Sequence, residues 1–100
     1  MAIKLIYSRF VKNDLKEINE WYKKINKELW NNFTKEFRLK INLIKENPLS
    51  FELKYNNIRI VFLNKFPYGI HYSYDAEENI IEIYSVFHTS RDPEKWKDRK

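Results

Sequence analysis

Two histidines and a few arginines are the side chains of this sequence with the clearest chemical capacity. Arg59, His71 and His88 fall in segments with strand periodicity, and Arg91 follows the last of them. A guanidinium takes phosphate oxygens in pairs, and an imidazole exchanges protons near neutral pH. Cleavage of RNA by its own 2′-hydroxyl needs a base for that hydroxyl, a cation for the phosphorane and an acid for the leaving oxygen. Arg59, His88 and Arg91 can supply parts of that set and are the catalytic candidates. Lys54, Lys65, Tyr84, Lys95 and Trp96 are candidates for contact with a target or a nucleic acid, the two rings because they can stack on a base. Each has a structural alternative. His88 can be a strand-end histidine bonded to backbone, and Arg59 a solvated strand residue or a partner of Glu82. His71 can serve the structure, Tyr84 can cover the sheet, and Trp96 can close the edge of the core. Asp92 before Pro93 can simply start a turn.

Other chemistries are excluded by what is missing. There is no Cys, one Gly and two His. No thiolate nucleophile, disulfide framework, phosphate-cradling Gly loop or metal cluster can be built from that inventory. Neither a cofactor nor a metal is expected. The net charge of +5 favours a polyanion or an acidic protein partner. It is uneven: residues 1–50 carry eleven Lys/Arg against six Asp/Glu, and residues 51–100 carry eight of each. The acids of the second half gather at Asp75, Glu77, Glu78 and Glu82, with Lys54, Arg59 and Lys65 before them and Arg91, Lys95, Lys97, Arg99 and Lys100 after. No apolar run approaches the roughly 20 residues that span a bilayer. The opening Met1-Ala2-Ile3-Lys4-Leu5-Ile6-Tyr7 is too short and too soon charged for a secretory signal. A cytoplasmic protein with no membrane partner is expected.

The elements that must position these residues read as one α+β domain over 1–100. Ile3 to Tyr7 alternates as a short strand. Ser8 can cap a helix whose stripe is Val11, Leu15, Ile18, Tyr22 and Ile25. A second helix repeats the pattern with Trp30, Phe33, Phe37, Ile41 and Ile44, the join falling near Ile25-Asn26-Lys27. Asn47-Pro48 ends it, because a residue before Pro avoids the helical region. The period then changes to two. Phe51, Leu53 and Tyr55 alternate, Asn56-Asn57 marks a turn, and strands are expected at 58–63, 69–74 and 80–87, the last two joined by Asp75-Ala76-Glu77-Glu78-Asn79. The expected architecture is an N-terminal strand, a helical hairpin, and an antiparallel sheet packed on the helices.

Period two also assigns faces. Ile81, Ile83 and Phe87 are expected to face the helices, and Glu82, Tyr84, Val86 and His88 to face away. In the same way Ile70 and Tyr72 take the core and His71 the open face; Ile58, Ile60 and Phe62 take the core and Arg59 the open face. That parity gathers Arg59, His71 and His88 on one uncovered sheet face, with a bulge near Pro67-Tyr68-Gly69 able to invert His71.

The order of elements, Asp14-Leu15-Lys16-Glu17-Ile18 in the first helix and Asn47-Pro48 after the second resemble the RelE/ParE toxin superfamily. So do Ile58-Arg59-Ile60-Val61-Phe62-Leu63, Phe66-Pro67-Tyr68-Gly69-Ile70-His71-Tyr72, and the closing Val86-Phe87-His88-Thr89-Ser90-Arg91-Asp92-Pro93-Glu94-Lys95-Trp96. The likeness spans about residues 3–97. It implies a type II toxin neutralised by a cognate antitoxin in a toxin–antitoxin hetero-oligomer, of the kind called plasmid stabilisation proteins. Two targets follow from it. RelE-type members cut mRNA in the ribosome, with basic residues on the open sheet face and often a C-terminal Tyr or His. ParE-type members share the fold and poison DNA gyrase. Arg59, His88 and Arg91 match the superfamily's basic positions. Trp96 stands where RelE carries its Tyr and cannot transfer a proton, and the His-x-Ser of His88-Thr89-Ser90 looks more like ParE. Growth inhibition through gyrase is therefore the first expectation, a ribosome-dependent mRNA endoribonuclease the alternative, and a decayed member that binds only its antitoxin the third.

Overall fold

The computed structural model describes residues 2–90. Its order is β1 (Lys4–Tyr7), α1 (Arg9–Ile25), α2 (Lys27–Glu46), β2 (Leu53–Tyr55), β3 (Ile58–Phe62), β4 (Tyr68–Asp75) and β5 (Ile80–His88). The local signals act where their chemistry requires. Ser8 accepts the Phe10 N–H at 3.2 Å and starts α1. Asn26 divides the helices: its N–H donates to the Tyr22 carbonyl, closing α1, and its Oδ1 accepts the Glu28 N–H at 2.9 Å, opening α2. One extended residue thus ends one helix and starts the next without Gly or Pro. Asn26→Ala keeps the backbone bond and loses the side-chain cap, so it should lower stability by about 1 kcal/mol. A thermal melt identical to wild type would assign no weight to that cap.

The sheet order is β1-β5-β4-β3-β2. The β2–β3, β3–β4 and β4–β5 pairs are antiparallel, as expected, but β1 lies parallel to β5. Strand periodicity carries no information on direction. The helical hairpin between β1 and the rest carries the chain across one sheet face, which permits a parallel return. The two tight turns place Asn56 (φ 47°) and Asn79 (φ 57°) in the left-handed region, where Asn is tolerated. The Asp75 Oδ1 also accepts the N–H groups of Glu77 and Glu78, fixing the β4–β5 loop.

The main core lies between the hairpin and one sheet face. α1 contributes Val11, Ile18 and Tyr22, α2 contributes Phe33, Phe37, Ile41 and Ile44, and the sheet contributes Val61, Ile70, Tyr72, Ile81, Ile83 and Val86. Two face assignments made from period two are reversed. In β3, Val61 rather than Ile60 joins this core, and Arg59 is directly opposite Tyr72 on the helix side. Ile58 and Ile60 are nevertheless 8% and 4% exposed on the other face. A strand buried on both faces carries apolar residues at both parities, so alternation alone cannot orient it.

The second reversal is in β5. Tyr72 pairs with Ile83 but His71 pairs with Ser85, so Tyr84 is an extra residue and the strand bulges there. Beyond the bulge Val86 faces the helices, Phe87 faces away, and His88 returns to the helix side opposite Tyr68. The face away from the helices is not bare. His71 is 1% exposed, its Nδ1 lies 2.9 Å from the Tyr55 hydroxyl, and its ring meets Phe87 edge-on at 4.8 Å. The chain's single Gly, Gly69, sits beneath this face; a Cβ there would meet Ile60 Cγ2 at 3.0 Å and Phe62 Cδ1 at 3.2 Å.

Candidate functional site

The bulge in β5 is held from α1 and its N-cap. Ser8 Oγ donates to the Tyr84 carbonyl, and the Val86 N–H donates to Asp14 Oδ2 at 3.0 Å. Asp14 is 4% exposed, a carboxylate placed inside the apolar stripe of α1 between Val11 and Ile18. A bulge breaks the strand ladder and leaves a backbone donor unpaired, and a buried donor needs a partner. Asp14 provides it, and the consequence reaches His88 two residues later.

His88 is exposed and closes one side of a cleft of about 260 Å3 between α1 and the end of the sheet. Trp21, Glu17 and Asp14 line the helix side, and Tyr68 and Val86 the sheet side. The His88 ring meets Tyr68 edge-on at 5.1 Å. Trp21 is 60% exposed, an uncommon position for an indole without a partner surface. Burial pushes the Tyr68 phenol above its usual range, with a smaller push from the Glu17 carboxylate. The Ser90 N–H donates to His88 Nδ1 at 3.0 Å, and Ser90 Oγ lies 2.7 Å from the same nitrogen. A nitrogen that accepts from an N–H carries no proton, so the neutral ring holds its proton on Nε2. The cleft is lined by an imidazole, two aromatic rings and the carboxylates of Asp14 and Glu17.

Arg59 lies elsewhere. Its partner across the sheet is Tyr72, whereas that of His88 is Tyr68. Four residues along the strand and two strand spacings separate them, on the order of 16 Å. Arg59 Nη1 donates to the Phe51 carbonyl at 2.6 Å and reaches the Leu49 carbonyl at 3.4 Å, while the Tyr72 hydroxyl donates to the Pro48 carbonyl at 2.6 Å. Together they pin the segment after α2 to the sheet. Burial pushes the Tyr72 phenol up to about 12, against the opposing pull of the Arg59 guanidinium. A phenol held neutral in the fold stabilises it below the unfolded value of 10.0, and that contribution is lost as pH rises toward 12. The melting temperature should therefore fall steeply across that interval, and less so in Tyr72→Phe.

A family model for the ParE toxin of the type II toxin–antitoxin system, parDE, matches residues 5–93. The chain belongs to that family. Among solved structures, this ParE-family toxin is similar to one described as the chromosomal ParDE TA system from P. aeruginosa. The TM-score is 0.75 at 15% identity, covering 88% of this chain and 97% of that one. It is also similar to the isolated E. coli RelE toxin, with a TM-score of 0.55 at 18% identity, covering 97% of this chain and 95% of that one. At such identities the likeness is one of fold. No curated protein sequence matches. Membership of a toxin–antitoxin family brings an antitoxin as partner. No helix among the described residues is long and apolar enough to cross a membrane.

The remaining candidates of this ParE-family toxin are dispersed. Lys54 is on the edge strand β2 and pairs with Glu52 at 3.0 Å. Lys65 is exposed in the β3–β4 turn, whose Asn64 and Lys65 N–H groups donate to the Glu36 carboxylate of α2. Tyr84 is half-buried at the bulge, edge-on to Phe10 at 5.8 Å. Arg91, Lys95 and Trp96 lie outside the described residues. Sequence reasoning did not select Asp14, Glu17, Trp21 or Tyr68 for the site. One signal was present: an acid at the third position after Val11 and the fourth before Ile18 stands within an apolar stripe, and such an acid needs a buried donor.

Proposed function

We propose that this toxin acts on DNA gyrase by binding, using the His88 cleft as part of its contact surface. The observation that carries this reading is the distance between Arg59 and His88. In-line RNA cleavage needs cation, base and acid around one phosphate. Arg59 is instead engaged with the Leu49 and Phe51 carbonyls, far along the sheet from His88. The exposed Trp21 ring and the half-buried Tyr68 ring beside hydrogen-bonding groups suit a protein contact. Arg91, three residues beyond His88 in sequence, and the basic tail that follows extend the same end of the chain. In the cell the toxin is held by its antitoxin as a hetero-oligomer in the cytoplasm.

The test is induced expression with DNA breakage and protein synthesis followed separately. DNA damage should precede any fall in translation. His88→Ala and Trp21→Ala should each weaken growth inhibition roughly tenfold, about 1.4 kcal/mol of contact energy. Neither should abolish it, because no proton transfer is required. Early translation arrest with intact DNA, removed entirely by His88→Ala, would replace this reading with the ribosome-dependent endoribonuclease.

A further inference from the structure

The second helix carries more apolar side chains than its contact with the core uses. Phe33, Phe37, Ile41 and Ile44 form its buried stripe. Leu39 and Leu43 fall outside that stripe and are 64% and 40% exposed. At 3.6 residues per turn, Leu39 lies nearly opposite the centre of the buried stripe, and Leu43 follows one turn later on the same outer face. Lys35 and Glu46 share this face, Lys35 about one turn before Leu39 and Glu46 about one turn after Leu43. Both are exposed, and neither is in an ion pair among the described residues. A single exposed leucine is ordinary; two on one helix face between unpaired charges of opposite sign form a pattern.

The same face borders two adjoining depressions between α2 and the β3–β4 turn. One, of about 500 Å3, is lined by Leu29, Leu39, Asn64 and Phe66 among others. The other, of about 390 Å3, is lined by Leu39, Leu43, Glu46 and Asn64 among others. The Glu36 carboxylate accepts the Asn64 and Lys65 N–H groups and so fixes the turn as the far wall. A helix face with protruding leucines beside a groove suits another helix, ridge into groove. The charges select which helix and which direction. A wholly acidic partner satisfies Lys35 and opposes Glu46, and a wholly basic one does the reverse. A parallel copy of α2 sets Lys35 beside Lys35. An antiparallel copy sets each Lys35 beside Glu46 of the second copy in the same register that sets Leu39 beside Leu43.

We propose that two copies of this chain pair through the outer face of α2, antiparallel about a two-fold axis between Leu39 and Leu43. The contact is isologous. Leu39 of each copy packs on Leu43 of the other and reaches into the groove beside the β3–β4 turn. Two Lys35–Glu46 pairs close its ends. Because each face is used up by its twin, association stops at the dimer. A single helix face is narrow beside the roughly 800 Å2 per partner of a stable interface, so the pair forms and separates readily. No residue of α2 lines the His88 cleft, so both copies keep that surface free. The pairing is independent of which target the toxin has.

The experiment is sedimentation equilibrium of the whole purified chain over a range of concentration and salt, with melting temperatures recorded beside it. The wild type should pass from monomer to dimer with a dissociation constant on the order of 10 µM, and no further. Leu39→Asp, on an exposed side chain, should melt like wild type and weaken pairing at least tenfold. Lys35→Glu and Glu46→Lys should each do the same. The double variant Lys35→Glu/Glu46→Lys restores opposite charges across the axis and should pair within about threefold of wild type. That recovery distinguishes a contact between copies from a change within one. A chain still monomeric at several hundred micromolar would overturn the proposal. So would a dimer indifferent to Leu39→Asp and to both single charge reversals, or a double variant that pairs no better than either single one. If the monomeric chain shows shifted Leu39 and Leu43 methyl signals only with a different protein bound, the face belongs to that partner and self-pairing is overturned.

Discussion

Phe33→Ala is expected to cost about 3–5 kcal/mol of folding stability, the range for a large ring removed from a packed core. Phe33 is fully buried, stacked on Trp30 at 5.6 Å and Phe37 at 6.1 Å, and edge-on to Phe66 at 5.5 Å and Tyr68 at 5.8 Å. Rings on several sides cannot all collapse into the space it leaves, so most of the cavity would persist. A domain of this size has a total stability of roughly 5–15 kcal/mol, so the variant should be partly unfolded near body temperature. Phe37→Ala should cost less, because Phe37 is 9% exposed and borders an open groove beside Tyr7 of β1. Urea denaturation of the two variants side by side checks the order. Equal midpoints, or a milder effect at Phe33, would mean that the centre of the core lies elsewhere.

Asp14→Ala should have the second large effect, about 2–3 kcal/mol, since it strands the buried Val86 N–H and removes a charge-assisted bond. The loss should also be visible at a distance. Without Asp14 the Val86 N–H loses its side-chain acceptor on α1, and the β5 end that carries His88 is less firmly held in register. Asp14→Asn retains an oxygen that can accept from Val86 and should recover much of the stability. The accompanying readout is the His88 ring resonance, which should move in Asp14→Ala and stay near its wild-type position in Asp14→Asn. A His88 signal identical in both variants would confine Asp14 to a purely local role.

These two residues also show where local sequence information stops. Phe33 was legible as core because α2 repeats its apolar side chains at steps of three and four, and that spacing puts them on one face whatever lies opposite. The same reasoning located both helices, the Asn26 break, the stop at Asn47-Pro48 and the three later strands within a residue or so of their bounds. The candidate site was less legible. Arg59 and His88 were both expected on the open sheet face, and both are on the helix side, far apart. For Arg59 the reason is burial on both faces of β3, which removes the contrast that parity needs. For His88 the reason is one extra residue, Tyr84, which reverses every side chain after it.

The amino-acid order by itself determined the element types, the α+β class, the basic surface and the family, because each depends on residues near one another in the chain or on composition. Tertiary structure alone decided that β1 runs parallel to β5, that β5 bulges, and that His88 therefore faces Trp21 and Tyr68 rather than Arg59. Those outcomes depend on partners far apart in sequence. Ser8, the N-cap of α1, and Asp14 within it meet the backbone of Tyr84 and Val86, more than seventy residues away. A bulge becomes favourable only when a side chain elsewhere satisfies the donor it exposes, and no pattern confined to the strand contains that side chain.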